Sequence, residues 1–329
     1  MEFVSSLYSK FDTLRTALNL PSPGKYEELH RKAQMTFTNH FMFDGCKIDF
    51  AKGLSPNFQI HHALHLGSQQ VPQTYSFNTV YATENQLLQG MVDTDGSLNG
   101  RIQFPILGDK LTAKINLGFH PATPMSPPQQ MMQAEVDRQG KDYDASIKLV
   151  NPWPLDATGV LVASYLQSVT QRLALGVEAV IQRPMPGMEE SAFNVAAKYT
   201  FPTFKLDALP QLNPDDLVPQ QPTSPPVATA TYNSQGALHV SYVHPVSAKV
   251  DLASELHVIV TPRGREGKAT VAAKYEFRQS TFRTQIDSNG VVASVLEQRM
   301  GPMAFTLAGQ VDHGKGESKF GFGLALETA

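Results

Sequence analysis

Three histidines fall close together in the chain, His61, His62 and His65. Imidazoles are the side chains most often found on transition metals, and on a helix this spacing would suit one. The residues around them alternate as a strand does, however. On a strand His61 and His65 share a face about 13 Å apart while His62 points the other way, so the three cannot hold one ion together. No glutamate follows in the metalloprotease pattern, and the single cysteine, Cys46, excludes an internal disulfide and any multi-cysteine zinc site. Phosphate loops, nucleophile elbows and dinucleotide fingerprints do not occur, and Gly314 and Gly316 only mark a turn. The expectation is a chain that is not an enzyme and has no cofactor and no metal.

The remaining chemistry lies in charges that recur at every second position. From Leu111 to Phe119, Leu111, Ala113, Ile115, Leu117 and Phe119 oppose Thr112, Lys114, Asn116 and Gly118. Asp142, Asp144, Ser146 and Lys148 oppose Tyr143, Ala145, Ile147 and Leu149, and Arg172, Ala174, Gly176, Glu178 and Gln182 oppose Leu173, Leu175, Val177, Ala179 and Ile181. Successive strand side chains point to opposite faces, so each segment has one apolar face and one polar face. On the polar face this reading places the basic Arg101, Lys114, Lys148, Arg172, Lys198, Lys249, Lys274, Arg278, Arg283 and Lys319, and the acidic Asp142, Asp144, Glu178, Asp251, Glu255, Glu276 and Asp287. A water-filled barrel needs such a wall simply to be wet. A conduit would use it further, with acidic patches drawing in cationic amphipathic segments.

Composition agrees with a barrel. Charged residues make up 17% of the 329 residues, against about 25% in an average soluble protein. No apolar run approaches the length of a transmembrane helix, so a bilayer would have to be crossed by strands closed on themselves. The net charge of -3, from 27 basic and 30 acidic residues spread along the chain, leaves no footprint for nucleic acid. No secretory signal peptide is read at the start.

Two regions follow. Residues 1–44 read as an N-terminal helical segment. Val4, Leu7, Tyr8, Phe11, Leu14 and Leu18 form one stripe, and a second helix, capped by Ser22 with Pro23 in its first turn, carries Tyr26, Leu29, Ala33 and Phe37 to about Thr38. The polarity of its other face places at least part of it in the lumen. Residues 45–327 read as an all-β transmembrane barrel of about 19 strands, each about ten residues long, with turns such as Asp95-Gly96 and Asn289-Gly290 between them. Proline-rich loops interrupt it at 120–128 and 201–226. With an odd count, an antiparallel meander brings its first and last strands parallel, so Gly45 to Gly53 should lie beside Lys319 to Leu326. Period-two alternation alone also fits a soluble β-rich binding protein, which remains a third reading.

The last strand adds a motif. Lys319, Gly321, Leu324 and Leu326 follow the order polar, glycine, hydrophobic, hydrophobic, which resembles the C-terminal signal by which mitochondrial outer-membrane barrels are recognised for insertion. Longer stretches extend the likeness: Leu18 to Leu29, Asn39 to Gly67, Tyr165 to Arg183 and Lys274 to Gly301, the last holding Lys274-Tyr-Glu-Phe-Arg and Ser280-Thr-Phe-Arg-Thr-Gln-Ile-Asp. From about Leu14 to Glu327 the chain resembles the channel-forming subunit family of the mitochondrial outer-membrane translocase, its fungal members above all, within the eukaryotic mitochondrial porin superfamily. The resemblance implies a barrel with a helical segment in the pore. It implies a channel for unfolded precursor proteins from cytosol to intermembrane space, with no ATP site. Partners implied are a second copy, small single-helix subunits, a central receptor subunit and the lipid bilayer. Asp142, Asp144, Glu178, Asp251, Glu255, Glu276 and Asp287 then become the acids that guide basic presequences. Two departures are the absence of the long N-terminal extension of many members and the 201–226 insertion. The related voltage-dependent anion channel, a metabolite porin, is the alternative; it would call for a net basic lumen.

Overall fold

The computed structural model describes residues 19–68, 72–106, 111–122, 127–153, 158–185, 187–202, 224–261 and 264–328. The first expected helix and most of the 201–226 loop lie outside them. The described residues form nineteen strands. They begin with β1 (Gly45–Ser55), β2 (Phe58–His65), β3 (Thr74–Ala82), β4 (Leu87–Asp93), β5 (Leu98–Ile106) and β6 (Leu111–His120). Next come β7 (Gln129–Gln139), β8 (Tyr143–Trp153), β9 (Thr158–Ser168), β10 (Leu173–Met185), β11 (Met188–Thr200), β12 (Val227–Asn233) and β13 (Ala237–Ser247). The set ends with β14 (Val250–Thr261), β15 (Gly264–Glu276), β16 (Ser280–Asp287), β17 (Val291–Met300), β18 (Met303–Asp312) and β19 (Glu317–Thr328).

Each strand pairs antiparallel with its neighbours in sequence, and one parallel pair closes the ring. In that pair Gly45 lies beside Gly321 and Lys52 beside Thr328, the closure the odd count requires. Strands about 4.8 Å apart and tilted by about 40° give nineteen of them a backbone diameter of roughly 38 Å. A helical segment about 10 to 12 Å across fits inside with room to spare.

The pairing register sorts the side chains into two faces. Outside stand Phe320, Phe322, Leu324 and Leu326 of β19, Phe305 and Leu307 of β18, and Leu117 and Phe119 of β6. Among the described residues the charged side chains facing outward are Lys52, Arg138, Arg183, Glu189 and Arg265, and each lies near a strand end. The middle of the outer wall is therefore uncharged. Tyr81, Tyr143, Tyr165, Tyr199, Tyr242 and Tyr275 ring it at the end where β1 turns into β2. An apolar band bordered by aromatic residues is what a bilayer selects.

The N-terminal segment differs from its sequence reading. In place of one helix from Ser22 to about Thr38 there is a 3₁₀ turn at Tyr26–Glu28 and a single turn of helix, α1 (Arg31–Gln34). Gly24 has φ +82°, outside the helical region, and the carbonyls of Pro21 and Pro23 accept hydrogen bonds from Ser168 Oγ and Lys198 Nζ of the wall. Attachments to the barrel replace the internal hydrogen bonds of a helix. Residues 21–44 run as a strap from the β9–β10 end of the barrel, through the lumen, to the opposite rim where β1 begins.

Candidate functional site

The strap is held by three apolar anchors on an otherwise polar wall. Tyr26 and Leu29 pack with Leu166, Ala174 and Ala196 of β9, β10 and β11. Ala33 and Phe37 pack with Val243, Ala253 and Ala272 of β13, β14 and β15. Small wall residues let the strap come close. Phe43 is the third anchor, lying against Gly321 of β19 so closely that a Cβ there would collide with the Phe43 carbonyl and stand 2.8 Å from its ring. Gly321, singled out as part of an insertion motif, thus also seats the strap.

Polar contacts fill the intervals. Lys25 Nζ bonds Asp137 at 2.8 Å, and Lys114 Nζ bridges Glu135 at 2.7 Å and the same Asp137 oxygen at 2.6 Å. Both wall carboxylates and Lys114 are nearly enclosed, with side-chain exposures of 5%, 5% and 10%. Lys148 Nζ reaches Glu27 at 3.0 Å. Farther along, the Thr38 amide donates to Gln285, Arg283 Nε donates to the Met35 carbonyl, and the guanidinium lies 3.9 Å from the centre of the Phe41 ring. Burial, with the negative Glu178 beside it, pushes the Tyr26 phenol up to about 12. Burial and the neighbouring His239 pull the His30 imidazole down to about 4. Both strap side chains are therefore neutral near pH 7.

Wall residues named from the sequence fall into several environments. Asp144 is buried and takes a hydrogen bond from the Tyr26 backbone. Glu178 accepts from Asn194 at 2.6 Å, and Lys198 is committed to Pro23. Asp251 is half-buried on the inner wall of β14, and Lys274 pairs with Glu276 on β15. Arg101 is exposed to the lumen from β5. Lys319 faces inward opposite Gln310. Four assignments need correction. Arg172 and Lys249 lie in turns just ahead of β10 and β14, Arg278 lies in the turn after β15, and Asp142 precedes β8 and accepts from Gln167 Nε2 at the rim. Continuing the alternation one or two residues too far produced these errors. Asp287 ends β16, where it accepts the backbone amides of Asn289 and Val291 and pairs with Lys268, so it ties the β16–β17 turn.

Among the described residues, strands β3, β4, β5 and β6 make no hydrogen bond, ion pair or apolar anchor with the strap. Their inner face carries the hydroxyls and amides of Ser76, Asn78, Gln89, Asn99, Gln103 and Asn116, together with apolar Val80, Leu87 and Met91 and charged Asp93, Arg101 and Lys114. This arc is the part of the lumen wall that the strap leaves uncovered among the described residues.

The sequence that folds into this ring has relatives among known proteins. The eukaryotic porin family model matches residues 22–321. The mitochondrial import receptor subunit tom40 of Neurospora crassa is 32% identical, across 99% of this chain and 89% of its own length. The chain belongs to the eukaryotic porin family, in its TOM40 group. The TOM40 import receptor subunit of Saccharomyces cerevisiae is likewise 32% identical over 99% of this chain and 84% of its own, and the human TOM40 homolog 30% identical over 93% and 79%. Similarity at this level spans the strap and the barrel together, because the matched stretch starts ahead of Tyr26 and ends in β19.

One cluster escaped the sequence reading. His239 on β13 lies directly across from His257 on β14, with Glu255 two residues away on the same inner face. Eighteen residues of chain separate the histidines, and only the hairpin register joins them. His61 and His65 do face inward from β2, and His62 faces outward, where it bonds the Tyr75 hydroxyl at 2.7 Å.

Proposed function

We propose that this chain is the protein-conducting channel of the mitochondrial outer membrane, passing unfolded precursor proteins from cytosol to intermembrane space through the lumen beside the strap. One observation carries the reading: a closed barrel with an uncharged outer belt holds a wet bore that the strap crosses without filling, in a chain of the TOM40 group. The relatives are named mitochondrial import receptor subunits, so the chain acts as one subunit of a translocase. A second copy, small single-helix subunits and a central receptor subunit are its proposed companions.

Acids engaged with the strap or a turn contribute little to attracting a presequence, since their charge is already compensated. That sets Asp144 and Asp287 aside, with Asp142 at the rim. Glu276 is likewise paired with Lys274, so Glu178, Asp251 and Glu255 remain as the guiding acids. A metabolite porin selective for anions would need basic residues in their place.

The test is reconstitution in planar bilayers. The channel should prefer cations and be blocked by a basic amphipathic presequence peptide. Anion preference without block would overturn the assignment.

A further inference from the structure

The geometry points to a binding site for one divalent transition ion of the zinc, nickel or copper class on the inner wall of β13 and β14. Its ligands are His239 Nε2, Glu255 Oε1 and His257 Nε2, three donor atoms that lie within 4.8 Å of one another. Both imidazole nitrogens already aim at the same carboxylate oxygen, His257 from 2.9 Å and His239 from closer still. An ion with nitrogen and oxygen bonds of about 2.0 to 2.2 Å spaces its ligand atoms roughly 3.3 to 3.5 Å apart, so the two nitrogens would swing away from the carboxylate oxygen by about half an ångström to an ångström.

The backbone fixes this triad. Residues two apart on a strand share a face, which aligns Glu255 with His257, and the antiparallel register sets His239 opposite His257 and Ser241 opposite Glu255. His239 and His257 are stacked, 3.9 Å between centres and 16° between planes; because an ion lies in the plane of each imidazole that binds it, His257 would turn out of this stack on binding. On its other side His239 stacks on His30 of the strap at 3.8 Å and 20°. His30 is positioned in turn by Ser241 Oγ at 2.9 Å, Thr229 Oγ1 at 3.0 Å and Thr231 Oγ1 at 3.3 Å. Adjacent strands thus fix the backbone of the site and His30 backs His239, while the exposed His257 ring is the part free to turn and complete it.

Local charges also permit it. Lys268, which faces His257 from β15, is drawn away to Asp287 at 2.9 Å. Glu255 supplies the negative charge and the two histidines bind as neutral ligands. Two imidazoles and one carboxylate favour a borderline transition ion over magnesium or calcium, which take mainly oxygen ligands. His257, with a side chain 46% exposed, opens the ion's remaining position to lumen water. Binding there would pin β13 to β14 and, through the His239 stack on His30, fix the middle of the strap. The site does not depend on the import reading, because it can be measured in the isolated barrel without transport.

The experiment titrates the full-length, untagged chain in detergent micelles with Co²⁺, read by its visible absorption, and then displaces it with Zn²⁺. One equivalent should bind. Glu255→Gln, which keeps the shape of the side chain, and His257→Ala should each weaken binding by at least about 10- to 100-fold, since loss of even an outer-shell partner costs that much. A His61→Ala, His65→Ala double variant should bind as the parent does. Should His257→Ala fail to fold, Glu255→Gln carries the test alone. Binding unchanged in Glu255→Gln, or no saturable binding by the parent chain, would overturn the proposal.

Discussion

The lumen has two unlike arcs. Under the strap, from Lys114 on β6 through β16, the wall combines small apolar seats with nearly enclosed charges: Leu166 and Ala196 beneath Tyr26 and Leu29, Ala253 and Ala272 beneath Ala33 and Phe37, and the Lys114, Glu135, Asp137 and Lys25 network at one edge. Along β3 to β5 the inner wall is mainly hydroxyl and amide, broken by Val80, Leu87, Met91, Asp93 and the exposed Arg101. The first arc binds a piece of chain permanently, because apolar burial and paired charges reward a fixed partner. Among the described residues the second meets no part of the strap, and it suits chain that must keep moving. A channel for polypeptides needs both, one arc to hold a segment of its own and another that holds nothing.

That contrast can be attacked at several points. The largest effect is expected from Lys114→Ala, which leaves Glu135 and Asp137 enclosed with fewer cations to pair with; up to about 3 to 5 kcal/mol of stability should be lost in urea titration of the barrel in vesicles. A loss no greater than for Arg101→Ala, on the open arc, would mean that the network is solvated like any surface pair. Next come the two faces of one strand. Ile115→Lys places a charge in the lipid band and should cost about 2 to 4 kcal/mol by the same assay, whereas Asn116→Lys, facing the open lumen, should fold almost as the parent does. Equal costs would dissolve the distinction between outer and inner face.

A smaller effect is expected at the third anchor. Gly321→Ala drives a methyl group into Phe43 and should cost about 1 to 3 kcal/mol, as overpacking does. Gly100→Ala on β5, where a Cβ meets nothing within 4 Å, should be neutral or slightly stabilising. Adding Phe43→Ala to Gly321→Ala should recover part of the loss; a double variant whose costs simply add would show that the two do not touch. Smallest of all is Tyr26→Phe. The buried Tyr26 hydroxyl has no hydrogen-bond partner among the described residues, so its removal should leave stability unchanged or raise it by up to about 1 kcal/mol. A marked loss would reveal a partner for that oxygen.

Much of this architecture was legible in the sequence, for a physical reason. A strand between lipid and water has to alternate, so the faces of β6, β8, β10 and β19 could be read residue by residue, and an odd count forced β1 beside β19. What depended on contacts between distant segments could not be read. The apolar spacing of Tyr26, Leu29, Ala33 and Phe37 suggested a continuous helix, yet those residues answer to seats on β9 to β15 that no local pattern reveals. Strand ends were also opaque, because alternation continues by chance into turns, as at Arg172, Lys249 and Arg278. The pairing of His239 with His257 is a matter of register alone. A predicted β13–β14 hairpin closing at Ser247–Val250 would have been the one signal able to expose it.

The most direct test of the two-arc account is site-specific photo-crosslinking to a precursor stalled in the channel. Crosslinkers at Asn78 and Asn99 on the open arc should capture the precursor, and crosslinkers at Ala196 and Ala272 beneath the strap should capture residues of the strap itself. Strong precursor adducts from Ala196 and Ala272, with none from Asn78 and Asn99, would contradict it.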